Sequence, residues 1–133
     1  MASLHKEIRI AAAASAIWDA ARDLGALHTR LVPGFVIDTK LEAGTPGARL
    51  VTFFNGMKLR EPIITLDDER RRLVWSASGG ATTHYNAVLQ ITAEGDGSRV
   101  QWTTDFLPES LSDTLSSMQD QGLAAMKRAF EKA

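Results

Sequence analysis

The sequence predicts an α+β domain in which a seven-stranded antiparallel sheet curls around one long C-terminal helix, with two short helices after the first strand. Between residues 35 and 107 apolar side chains recur with period two, broken by Gly, Pro, Asn and Asp turns, so successive strands fold back on each other. After Pro108 the period becomes helical and stays so to residue 131. Strands pooled in the middle of the chain and helices set apart at its ends exclude the alternation of a parallel α/β sheet.

Taken in order, Leu4, Ile8 and Ile10 alternate and mark a first strand, Leu4–Ile10. Ser15 is the expected cap of a helix carried by Ile17, Trp18, Ala21 and Leu24, which Gly25 ends. A second short helix is expected over Leu27–Leu31, stopped by Pro33-Gly34. Six strands follow: Phe35–Glu42, Arg49–Asn55, Lys58–Leu66, Arg72–Ser78, Thr83–Ala93 and Arg99–Leu107. Their turns are Gly44-Thr45-Pro46-Gly47, Asn55-Gly56, Asp67-Asp68, Gly79-Gly80 and Gly95-Asp96-Gly97. Pro62 removes a ladder donor, so a bulge or an edge is expected there. The last helix, capped by Ser110 or Ser112, presents Leu111, Leu115, Met118, Gly122, Met126 and Ala129 as one stripe.

A chain of 133 residues fits one domain with a real core. Fifteen basic residues against sixteen acidic ones leave a net charge of −1, which gives no positive field for nucleic acid or anionic lipid. The run Arg70-Arg71-Arg72 follows Asp67-Asp68-Glu69 and reads as a solvated turn. No cysteine is present, so disulfides, thiolate metal sites and thiol nucleophiles are excluded and a reducing, cytoplasmic setting is expected. Lys6 and Arg9 before Ala11 to Ala14 echo a signal peptide without its apolar core, so the mature protein is expected to begin at Met1. No segment is apolar for long enough to span a membrane.

Catalytic motifs are absent. His5, His28 and His84 lack the spacing that puts two ligands on one metal, so neither a metal nor a cofactor is expected. Gly95-Asp96-Gly97 lies between strands and has Val100 where a dinucleotide loop has its third glycine. Ser76 and Ser78 do not sit in a Gly-x-Ser-x-Gly elbow.

What remains is volume. One helix cannot evenly fill a sheet that curls around it, and Gly122 between Met118 and Met126 either enlarges the gap or lets a strand come close. Inward apolar phases are Phe35, Ile37 and Leu41; Leu73, Trp75 and Ala77; and Tyr85, Ala87, Leu89 and Ile91. In the last strand either Val100, Trp102, Thr104 and Phe106 or Gln101, Thr103 and Asp105 face inward. If Leu59 and Ile63 point inward so does Glu61, unless a bulge at Pro62 turns it out. Burial would raise its pKa, and with Lys58 and Arg60 on the other face its expected partners are Tyr85, water or the ligand.

Four stretches, Ala14-Ser15-Ala16-Ile17-Trp18, Glu61 to Arg71, His84-Tyr85-Asn86-Ala87 and Ser98 to Thr103, resemble the START-like (SRPBCC) helix-grip superfamily, and within it the polyketide cyclase/dehydrase-like family. The resemblance covers residues 3–132 and marks the fold better than the function. The middle stretch is also similar to plant abscisic-acid receptors, and that likeness implies wall positions at Ile37, Glu61, Trp75, Tyr85, Ala87, Met118 and Gly122. The receptors' gate and latch are not reproduced, since Asn55-Gly56-Met57 and Gly80-Ala81-Thr82-Thr83 stand in their place; these loops are candidates for the cavity mouth.

The expected function is binding or carriage of a small hydrophobic or aromatic metabolite. The alternative is a cyclase, aromatase or dehydratase acting on a ketone, with Glu61 as general acid or base and Tyr85 polarising the carbonyl. A third reading is an accessory protein with a vestigial cavity, and a homodimer is left open. On the cavity reading Gly122→Trp should abolish binding in a folded protein, and Glu61→Gln should weaken binding at unchanged or higher stability.

Overall fold

The computed structural model describes residues 1–42 and 47–131, so the expected Gly44-Thr45-Pro46-Gly47 turn lies mainly outside the described residues. Strand β1 (Ala2–Ile10) leads into helix α1 (Ala14–Arg22), a 3-10 turn (Leu24–Ala26) and a π-helical turn (Leu27–Leu31). Strands β2 (Val36–Leu41), β3 (Ala48–Phe53), β4 (Lys58–Asp67), β5 (Arg72–Ser76), β6 (His84–Glu94) and β7 (Gly97–Leu107) follow. A 3-10 turn (Glu109–Leu111) then enters helix α2 (Ser112–Phe130). Among the described residues no helix is long and apolar enough to cross a membrane.

The sheet order is β1-β7-β6-β5-β4-β3-β2, with every pair antiparallel. From β2 to β7 it is a meander, the outcome expected when short turns join consecutive strands. β1 closes beside β7, so the first two strands lie at opposite edges and α1 with its two following turns crosses the width between them. Trp18 Nε1 and Arg22 Nε both donate to Asp68 Oδ1, at 2.9 and 2.7 Å, tying α1 to the β4–β5 turn. Neither helix has the serine cap expected: Ala13 and Leu111 are the N-cap residues, and neither makes a side-chain cap bond.

Alternation sorts β7 cleanly, with Val100, Thr104 and Phe106 buried and Trp102 sharing their face. That face meets α2. Gln119 on the helix is buried, and its amide accepts from Thr104 Oγ1 at 3.2 Å while donating to the Trp102 carbonyl. Lys6 on β1 reaches Asp120 at 3.0 Å at the helix's outer side. Helix α2 thus lies over β1 and β7, at one side of the concave face rather than along its middle.

β2 departs from the expected phase. A bulge between Val36 and Asp38 inserts an extra residue, so Val36 and Thr39 are buried while Ile37 is 55% exposed and Leu41 is 52% exposed. Ile37 is therefore not a wall residue, because a one-residue slip exchanges the two faces of a strand. The irregularity in β4 falls between Ile63 and Thr65, just past Pro62, and it leaves Glu61 facing in.

Candidate functional site

Because α2 covers the β1–β7 side, the inward residues of β3, β4 and β5 are left facing a space of about 180 Å³. Leu27, Leu31, Val32 and Phe35 close its inner end, and Leu73, Trp75 and Leu89 form the sheet wall. Met118, Gln119 and Met126 come from α2. Its mouth lies between the β3–β4 turn (Asn55, Met57), the β5–β6 loop (Gly80, Ala81, Thr82) and the start of α2 (Leu111, Thr114, Leu115). Gly80 belongs there because a Cβ on it would come within 2.9 Å of Leu59 Cδ2.

One end of this apolar space is polar. Register places Arg49 of β3 directly opposite Glu61 of β4. Arg49 Nε donates to Glu61 Oε1 at 3.1 Å, and the side chains are only 3% and 7% exposed. Arg49 Nη1 donates to the Leu24 carbonyl at 3.3 Å, and its guanidinium carbon sits 5.9 Å from the centroid of the Trp75 ring. The cation is thus held by a carboxylate, a carbonyl and an aromatic face, which together offset the cost of removing it from water.

Burial pushes the Glu61 carboxyl above the ordinary carboxylate range, opposed by the charge of Arg49 and by its hydrogen bond. Burial also raises the Tyr85 phenol, and the negative charge of Glu61 nearby adds to that. The Trp102 indole lies near enough to the phenol to offset part of the rise, yet the two fall outside hydrogen-bond geometry; Trp102 Nε1 is buried with no partner among the described residues.

Of the seven wall positions implied by resemblance, the cavity brings together Glu61, Trp75, Tyr85 and Met118. Ile37 is turned out by the β2 bulge, and Val36 takes the inward place. Ala87 is fully buried in the packed core and does not reach the space. Gly122 does not line it either: a Cβ there would lie 2.6 Å from Trp102 Cζ3 and 3.2 Å from Phe35 Cε2. Its lack of a side chain lets α2 approach β7, which corrects the reading of Gly122 as added volume and the expectation that Gly122→Trp stays folded. Glu61 is partnered by Arg49, not by Tyr85, water or ligand alone. Arg49 was missed because a single arginine at a strand start looks like a surface residue; counting back from the Asn55-Gly56 turn brings it within one position of Glu61 on the neighbouring strand, and that was the available signal.

A curled antiparallel sheet gripping a C-terminal helix, with a cavity between them, defines the helix-grip class of START-like proteins. Within that class the chain belongs to the family of polyketide cyclases/dehydrases and lipid transport proteins, which it matches over residues 1–131. Solved structures agree in fold. An uncharacterised protein from Bacillus thuringiensis superposes with a TM-score of 0.86 at 21% identity, covering 97% of this chain and 98% of that one. A protein from Thermobifida fusca gives 0.79 at 27% identity, with 98% and 93% covered. A START superfamily protein from Mycobacterium smegmatis gives 0.76 at 15% identity, with 98% and 97% covered. No curated protein sequence matches the chain significantly.

Proposed function

We propose that this chain binds a small, predominantly apolar molecule in the cavity, acting as a carrier or binding protein. The observation that supports this most is the commitment of the cavity's one acid: Glu61 accepts from Arg49, and no other carboxylate or histidine is among the described lining residues. A general acid or base must be free to exchange its proton with substrate, and the Arg49 contact would have to break for that. Tyr85, held protonated by burial, is suited to donate a hydrogen bond rather than to act as a base. These features favour binding over the cyclase or dehydratase reading.

Size narrows the ligand. A dry protein cavity of about 150 Å³ holds benzene, so about 180 Å³ suits one ring with short substituents or an aliphatic molecule of like volume. Toluene is a suitable probe, and the methionine methyl groups report it, since Met57, Met118 and Met126 line the space and exposed Met1 does not. In a toluene titration the expected result is movement of three methionine methyl NMR signals with Met1 unmoved. Three static signals at saturating toluene would remove the cavity as a binding site. Native mass spectrometry of the purified protein would further reveal any co-purified ligand.

A further inference from the structure

At the inner end of the cavity a single aromatic ring stands between the apolar space and a groove on the protein surface. The groove, of about 200 Å³, is bordered by Gln121, Ala124 and Arg128 of α2 and by Gly34, Phe35 and Phe54. Of these six residues Phe35 alone also lines the cavity. Its ring meets Phe53, a cavity residue, edge-on with centroids 5.4 Å apart, and Phe54, a groove residue, with centroids 6.0 Å apart. Toward α2 its Cε2 lies 3.2 Å from where a Cβ of Gly122 would stand, so the ring reaches from the end of β3 to the helix. The backbone here is tied down without the ring's help. Phe35 N–H donates to the Val32 carbonyl at 3.2 Å, and the Phe35 carbonyl accepts from Phe54 N–H at 3.0 Å. Phe35 is only 6% exposed, and close packing holds so enclosed a ring in place.

We infer that Phe35 determines the specificity of the cavity for ligand length: its ring ends the space open to a ligand and so sets the longest apolar chain the protein accepts. The inference rests on the binding reading above. Each methylene that passes from water into an apolar space tightens binding roughly fourfold, so affinity climbs along a homologous series until the chain meets the ring. Further methylenes then stay in water and gain nothing. Without the ring the cavity and the groove join, and the climb continues to longer chains. Leu27, Leu31 and Val32 close the same end but do not border the groove, so none of them divides the two spaces.

The n-alkylbenzenes from toluene to n-hexylbenzene keep one ring and vary only the chain. Each is titrated into the wild type and into Phe35→Ala while the methyl signals of Met118 and Met126 report the cavity, and NOEs from the ligand to the Ala124 methyl group report the groove. In the wild type affinity should rise roughly fourfold per methylene and then level off, with no NOE to Ala124. In Phe35→Ala the rise should continue past the wild-type limit, and the longer chains should give that NOE. Deleting a buried phenyl group can unfold a small domain. In that event Phe35→Leu, which keeps more of the packing, takes its place with the same direction of change. An equal limit in wild type and variant overturns the assignment of Phe35 and leaves the cavity reading standing. An NOE between n-hexylbenzene and Ala124 in the wild type, or an affinity that never levels off there, overturns it in the same way. Methionine signals that stay static through the whole series overturn both readings.

Discussion

On β7 the inward residues Trp102 and Thr104 meet helix α2 at Gly122 and Gln119, whereas on β3, β4 and β5 the inward residues Arg49, Phe53, Glu61, Leu73 and Trp75 look onto open volume. Both regions belong to one sheet and obey one alternation. The difference comes from where the helix lies, and the helix lies there because Gly122 admits the Trp102 ring and Gln119 bonds into β7. Close packing on one side is what leaves room on the other. Charge divides the same way: the packed side buries the neutral amide of Gln119, while the open side buries an ion pair.

The largest expected effect is on the packed side. Gly122→Trp should yield no stably folded protein, since even a methyl group at that place would overlap the rigid indole of Trp102. Gly122→Ala separates the two influences there. Overpacking costs about 1–3 kcal/mol, and the better helix propensity of alanine returns about 1 kcal/mol, so urea unfolding should show a net loss of up to about 2 kcal/mol. A more stable Gly122→Ala protein would mean that α2 can lift off β7 and that the contrast between the two sides is soft.

Next comes the open side. Arg49→Met should lose about 3–5 kcal/mol, the usual consequence of leaving one member of a buried pair alone. The double change Arg49→Met with Glu61→Leu should recover much of that loss, because a well-packed apolar pair of similar volume often matches a buried ion pair in stability. Chemical denaturation of the four proteins of this cycle is the measurement. If the double variant is no better than Arg49→Met, Arg49 acts mainly through Leu24 and Trp75 rather than through Glu61.

Most of the packed side was legible in the sequence and little of the open side's polar end was. Period two sorts β5 and β6, whose residues pair in unbroken register; in β7 it left both phases open, and the structure turns Val100, Thr104 and Phe106 inward. It misplaces Ile37, because a bulge leaves no mark in hydrophobicity, and a shift of one residue exchanges the faces. Glu61 stood out as a charge among apolar inward positions. Its partner did not, since Arg49 and Glu61 meet only through the pairing of β3 with β4, and nothing local to Arg49 announces burial. Gly122 shows a further limit: a glycine in a helix stripe signals close approach or empty space equally well, and only the position of Trp102 decides.

The gentlest effect is in pH, and it tests whether the open side keeps its acid under strain of burial. Burial raises the Glu61 carboxyl above its ordinary range, more than the charge and hydrogen bond of Arg49 lower it. The folded chain then holds that proton more tightly than the unfolded chain does. The contribution of Glu61 is accordingly fully present below the unfolded pKa, about 4.3, and is lost as pH rises through the folded value. Carboxylates nearer the surface run the other way: Asp68, held low by Arg22 and Trp18, and Glu42, held low by Arg60, contribute above their unfolded pKa and lose it as pH falls. Subtracting the pH profile of Glu61→Gln from that of the wild type removes this shared background. The difference should move against the wild type as pH rises from acid to alkaline, so that Glu61→Gln equals or overtakes it at high pH. In the Arg49→Met background the same subtraction should be steeper, because nothing there opposes the burial. A flat difference would place the Glu61 carboxyl at its unfolded value. An opposite slope would make Arg49 the stronger influence and turn the pair into a source of stability at neutral pH.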